Sequence, residues 1–210
     1  MAPDPSRLDE RDRTRIREAL LDLCLEPGFR RADLLMLLGR AGVDQATFQS
    51  GYLDLEDCLC HVFSDARDEL FARVEAAVEG RPEWRDRIRA TAYVFLDFLN
   101  EDRRVAHMSV VDVREAGGRP QMLSDQSFQF FLDLLDEARG AGPAQTMSRA
   151  TAEAVLGGIS LQLFAAVAAD RALDAELIPG MMYTAVLPYL GREAATEELN
   201  IPPPTTRRDR

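Results

Sequence analysis

The sequence predicts an all-α chain, and three observations predict it. Apolar residues recur at helical spacing from Ile16 to Leu190, and no stretch alternates apolar and polar residues long enough for a dependable strand. Glycines and prolines fall between the periodic runs, at Pro27-Gly28, Gly42, Gly80 with Pro82, Gly117-Gly118 and Gly140, where helices end. Asp44 and Asp54 stand immediately before two of the runs, where a carboxylate caps the free amides of a first turn. At 210 residues the chain has ample material for a buried core.

The elements follow in order. Residues 1 to 8 are polar and proline-bearing and read as a mobile arm. A first helix runs to about Leu25, with Ile16, Ala19, Leu20, Leu23 and Cys24 on one face. Leu34 to Leu38 belong to a second helix; Gly42 makes the turn and Asp44 opens a third helix with Phe48 and Tyr52 inward. A long fourth helix spans about Leu55 to Val78. Further helices cover Trp84 to Leu99, Arg103 to Ala116, Pro120 to Gly140, Met147 to Arg171 and Leu177 to Leu190, about nine in all. Residues 140–145 read as a loop and 192–210, with Pro202-Pro203-Pro204, as a disordered tail. The domain reading is a helix-turn-helix head over 9–53, a helical body over 54–191, and the tail.

The head carries a recognisable pattern. Gly28-Phe29, Ala41-Gly42-Val43, Thr47-Phe48, Tyr52, Glu56 and the small apolar Cys58 occur in the register of a helix-turn-helix followed by a long helix. In this layout the chain resembles the TetR family of regulators. The resemblance implies an N-terminal three-helix DNA-binding head and a helical body that binds a small ligand. It also implies a homodimer formed by the last two helices, and ligand-responsive transcriptional repression. The chain departs from the family pattern at several positions: Gln49 replaces a phosphate-contacting Tyr, Leu55 replaces a Lys, Ala32-Asp33 replaces a Thr pair, and Leu35 and Met36 stand where polar residues are usual. Fewer phosphate contacts imply weaker operator affinity, leaning on Arg13 and Arg17 of the first helix.

Composition sets the bounds on function. The formal net charge of −11 disfavours broad, non-specific nucleic-acid binding, and every basic residue is arginine. Charge is unevenly spread: Arg7, Arg11, Arg13, Arg15 and Arg17 outnumber Asp9, Glu10 and Asp12, whereas over 28–58 Arg30, Arg31 and Arg40 are outnumbered by Asp33, Asp44, Asp54, Glu56 and Asp57. Three cysteines and an opening without an apolar run predict a reducing, cytoplasmic setting. The uncharged run Ala154 to Ala169 is shorter than the roughly 20 residues of a membrane span. It reads as an interface helix, and no membrane partner is expected.

Candidate site residues divide into three sets. For DNA they are Arg13, Arg17, Arg30, Arg31, Arg40, Gln45, Ala46, Thr47, Gln49 and Ser50; Gln can read adenine and Ser can reach phosphate, although a short polar helix end serves equally as solvated surface. For a small apolar or amphipathic ligand they are Phe95, Phe98, Leu99, His107, Met108, Val111, Met122, Phe128, Phe131, Gln162 and Leu163. Aromatics and methionines at this spacing also suit plain core, and the embedded polar residues His107, Asp112, Gln126 and Gln162 are what tilt the set towards a pocket. For a dimer interface they are Gly157, Gly158, Leu161, Phe164, Met182 and Val186. Cys58 and Cys60 lie about 200° apart on a helix and do not share a metal, so buried thiols are expected and no cofactor is implied. With two histidines and no nucleophile elbow or phosphate loop, the sequence nominates no catalytic residue, and an enzyme is not expected.

A rival reading keeps the fold without DNA. Its basis is the acidic head and the apolar set Leu35, Met36, Leu53 and Leu55, which a protein partner would cover.

Overall fold

The structure, a computed structural model, describes residues 3–140 and 147–202, and all regular elements among them are helical. The head comprises α1 (Glu10–Leu25), α2 (Leu34–Ala41) and α3 (Gln45–Gly51). Each opens on an aspartate whose carboxylate accepts a backbone amide: Asp9 from Asp12, Asp33 from Met36, Asp44 from Thr47. Gly42 ends α2 at φ 62°, the left-handed conformation that the expected turn required. Leu20, Leu37 and Phe48 close the head's core with no exposed surface.

The body begins with the long α4 (Leu55–Val78), capped by Asp54 as expected, followed by α5 (Trp84–Glu101). The helix predicted over 103–116 divides into α6 (Arg103–His107), a π-helical turn (Met108–Asp112) and α7 (Val113–Ala116). Next come α8 (Gly118–Asp136), α9 (Arg149–Ala168) and α10 (Leu177–Glu198). The main core runs unbroken from α1 through α4 into α5, α6, α9 and α10, and a smaller cluster around Leu132, Ala152 and Tyr189 joins α8, α9 and α10. Most of the 140–145 loop lies outside the described residues.

Two expectations at the ends are corrected. The arm is not loose over its described part: Pro5–Arg7 forms a 3-10 turn, the Asp4 amide donates to Ser50 O at 3.1 Å, and Leu8 is buried against Gly51. A Cβ at Gly51 would stand 2.5 Å from Leu8 Cδ1, so this glycine is what lets the arm seat on α3. The tail predicted from Arg192 is instead helical to Glu198, beyond a break at Gly191 (φ 83°). Ala195 and Glu198 are buried there, and the Glu198 carboxylate is held by Arg85 (2.6 Å) and Arg89 (2.7 Å) of α5. Gly and a charged run concealed the continuation because the partners lie over a hundred positions away. Residues 203–210 lie outside the described residues.

Candidate functional site

The helix-turn-helix head presents a short outward face. Gln45, Ala46 and Gln49 are exposed on α3, while Phe48 and Tyr52 face inward and burial pushes the Tyr52 phenol upward. Thr47 and Ser50 are half-buried, and the Ser50 hydroxyl donates to Thr47 O at 2.7 Å, which turns it back onto its own helix. Arg30, Arg31 and Arg40 are exposed and have no carboxylate partner among the described residues. Arg13 and Arg17 pair with Glu10 and Glu18, each at 2.8 Å. Arg15, not nominated from sequence, donates to Gly42 O at 2.8 Å and ties α1 to the turn before α3. Leu35 and Leu53 are 77% and 60% exposed, with Met36 at 46%, a large exposure for apolar side chains.

The body contains an apolar cavity of about 110 Å³ between α4, α5, α8 and α9 and the π-helical turn. Of the predicted ligand residues, Phe95, Phe98, Leu99, Phe128, Phe131 and Leu163 line it. Phe63, Leu70 and Phe71 of α4 complete its walls, and Phe131 stands edge-on to both Phe71 and Phe95. An adjoining apolar cavity of about 120 Å³ extends towards Ile88, Leu135 and Met181, sharing Phe95, Phe128, Phe131 and Leu163 as the partition. An apolar cavity near 150 Å³ is large enough to take a single aromatic ring.

Five predicted ligand residues are placed elsewhere. Met122 (61% exposed) and Gln162 point to solvent, because α8 and α9 turn their opposite faces inward. Met108 and Val111 are packed in the core without bordering the cavity, since the π turn rotates Ser109 and Val110 towards it instead. His107 borders a separate polar cleft with Asn100, Arg103 and Asp170. The α4 wall was missed, although Phe63 and Leu70 recur at helical spacing in the sequence.

Head and body are joined by two buried carboxylates. Asp112, 2% exposed, accepts the Phe29 amide at 2.9 Å and the His107 Nδ1–H at 2.7 Å. That hydrogen bond raises the His107 pKa above its ordinary value. Asp57 accepts the Leu53 amide at 2.9 Å and Arg119 Nη2 of α8 at 2.7 Å. Burial pushes the Asp57 carboxyl up, but these two donors outweigh it and hold the group below the usual carboxylate range. Arg104 adds a third link from α6, reaching Glu18 at 2.7 Å and Asp22 at 3.0 Å on α1. The π turn therefore contributes Ser109 and Val110 to the cavity wall and, at its other end, Asp112 to the head.

The outer face of α9 is apolar and little covered. Gly157, Gly158 and Leu161 (67%) are exposed and Phe164 is half-buried, whereas Met182 (2%) and Val186 (0%) are sealed in the protomer's own core. Those last two are corrected as interface residues: α10 turns Leu187 and Leu190 outward instead. The α9 helix is long and apolar enough to cross a membrane by length and composition, yet only 22% of its central window is buried in the protomer. Cys24, Cys58 and Cys60 are free and buried, and burial pushes all three thiols up.

An all-helical body with a helix-turn-helix head at its N-terminal end defines an architecture, and the chain has the fold of the TetR-family transcriptional regulators. Similar solved structures include the fatty acid degradation regulator FadR from Bacillus halodurans (TM-score 0.70, 16% identity, covering 82% of this chain and 97% of that one). FadR from Bacillus subtilis, solved in complex with stearoyl-CoA, has a TM-score of 0.70 at 17% identity, covering 85% and 98%. A TetR-family regulator from Streptomyces coelicolor has a TM-score of 0.62 at 17% identity, covering 91% and 97%. No protein-family model and no curated protein matches the chain.

Proposed function

We propose that the chain is a ligand-responsive transcriptional regulator, a repressor acting as a homodimer on operator DNA in the cytoplasm. The observation that carries the reading is the head's outer surface. Gln45, Ala46 and Gln49 stand clear of the core on an α3 capped by Asp44, and the same head exposes Arg30, Arg31 and Arg40, which have no carboxylate partner among the described residues. Such a helix offers side chains to base edges while the arginines take phosphates. Dimerisation through the outer face of α9 and the exposed edge of α10 covers Leu161, Phe164, Leu187 and Leu190. A ligand in the α4–α9 cavity pushes on α4 and the π turn, and so on the two carboxylates that hold the head. The head separation must match about 34–36 Å, one turn of DNA, so a small displacement there releases the operator.

Titrating the chain against its own upstream DNA at two salt concentrations tests this. Binding is expected to weaken with salt, with a log–log slope near 0.9 per phosphate contacted, and to strengthen and steepen in Gln49→Tyr with Leu55→Lys. If neither protein binds any upstream fragment at low salt, the reading fails.

A second reading has its own observation. Leu35, Met36 and Leu53 are exposed apolar side chains on the head, suited to a protein partner rather than a phosphate backbone, whereas Leu55 of the same expected set is half-buried against the core. Charged substitutions there would release a copurifying partner while leaving the fold intact.

A further inference from the structure

The cleft that His107 borders, of about 160 Å³, differs in character from the apolar cavity, with Leu99 as their common wall. It lies between α5, α6 and the 169–176 connection from α9 to α10, and its polar lining is Asn100, Arg103, His107, Asp170 and Arg171. Backbone bonds fix its rim. The α9 helix ends where the Asp170 amide donates to Val167 O at 3.0 Å and the Arg171 amide to Ala166 O at 2.8 Å, with Asp170 in the left-handed region at φ 53°. Asn100 Nδ2 of α5 donates to the carbonyl of the buried Leu173 at 2.9 Å, which pins the connection to the bundle.

Charge in the cleft is unbalanced. Arg103 and Asp170 offset each other as a pair at 2.5 Å, whereas Arg171 is exposed with no carboxylate partner among the described residues. His107 adds a second donor. Its Nδ1 is taken by the buried Asp112, so Nε2, which has no hydrogen-bond partner among the described residues, is the ring nitrogen left for the cleft. Asp112 favours the protonated ring, burial opposes it, Glu115 adds to the first effect and Arg103 to the second; the net result is a raised pKa, so Nε2 carries a proton over more of the neutral range. In a chain of formal net charge −11, a cleft holding Arg171 and an imidazolium favours an anion. At about 160 Å³ it is smaller than the roughly 300 Å³ at which drug-sized pockets begin, which leaves room for a few heavy atoms and not for a nucleotide.

We propose that this cleft binds a small hydrophilic oxyanion, a carboxylate or phosphate group received by Arg171 and His107 Nε2–H, and that its occupancy steadies the head. The route is short: the Phe29 amide donates to one oxygen of Asp112 and His107 to the other, so an anion that holds the ring protonated keeps that carboxylate in place. The site is independent of any ligand in the apolar cavity. Nitrogen-15 NMR of the full chain's two histidines reports on it, during titration with inorganic phosphate and with succinate, against neutral succinamide and against chloride at matched ionic strength. Phosphate or succinate should shift the His107 signals saturably and leave His61 unmoved, succinamide and chloride should do neither, and the tighter anion identifies the group received. Arg171→Gln, at an exposed position, should weaken binding about tenfold, the worth of one hydrogen bond to a charged group, and affinity should fall as pH rises through the His107 pKa. Amide exchange at Phe29 should slow on saturation. A shift reproduced by chloride, no saturable shift with either anion, or an affinity unchanged in Arg171→Gln overturns the site. Saturable binding with unaltered exchange at Phe29 overturns its link to the head.

Discussion

Removing the Asp112 carboxylate should loosen the head without touching either the exposed face of α3 or the cavity lining. In Asp112→Ala two hydrogen bonds disappear together, one from the Phe29 amide at 2.9 Å and one from His107 at 2.7 Å. Hydrogen bonds to charged groups are worth about 1.5–3 kcal/mol each, and taking the lower figure because His107 is partly exposed gives a loss of about 3 kcal/mol. For a chain of this size that corresponds to a fall in Tm of about 6–12 °C. The sign of the pH dependence follows from His107, whose folded pKa is raised by Asp112, then lowered in part by burial, with Glu115 raising it and Arg103 lowering it. Its stabilising share is complete below the ordinary value of 6.5 and is lost as pH rises through the raised folded value. The Tm gap between wild type and Asp112→Ala, followed by calorimetry from mildly acidic to alkaline pH, should therefore narrow with rising pH. The Phe29 share should remain, and amide exchange at Phe29 should quicken in the variant. A stability difference below about 1 kcal/mol, or a Tm gap that widens as pH rises, would refute the reasoning.

Three further outcomes follow from the structure. Glu198→Gln leaves Arg85 and Arg89 facing a neutral amide in place of a fully buried carboxylate; it should cost about 3 kcal/mol in urea unfolding, and a neutral result would mean that the final helix is not docked. Gly51→Ala places a methyl 2.5 Å from Leu8 Cδ1, so the arm must lift or the helix shift; a loss of about 1–3 kcal/mol is expected, together with faster proteolysis at the arm, and the double variant with Leu8→Ala should recover part of it. Leu161→Asp puts a charge on the exposed face of α9; light scattering should report a monomer with unchanged helicity, and a wild type that is already monomeric at micromolar concentration would contradict the proposed dimer.

The helices were legible because their signals are local. Period, capping aspartates and the Gly42 turn all act within a few residues, which is why α4 begins at Leu55 and ends at Val78 as expected. What stayed hidden depends on partners distant in sequence. Glu198 reads as tail until Arg85 and Arg89 are brought beside it, and Leu8 reads as arm until Gly51 makes room for it. The cavity was half legible for the same reason: Phe95, Phe128 and Phe131 announce an apolar face, but which residues of 103–116 turn inward depends on the π turn, where Ser109 and Val110 line the cavity and Met108 and Val111 do not. Asp112 was singled out as a polar residue among apolar neighbours, and its partner proved to be a head amide 83 positions earlier rather than a ligand.

Footprinting of the chain on its own upstream DNA tests the central claim most directly. Two reading heads on one dimer should protect two half-sites centred about 10–10.5 base pairs apart, or a multiple of that spacing, on one face of the duplex. Arg30→Ala with Arg31→Ala and Arg40→Ala should erase both together. Protection absent at low salt from a folded, dimeric wild type would contradict the account.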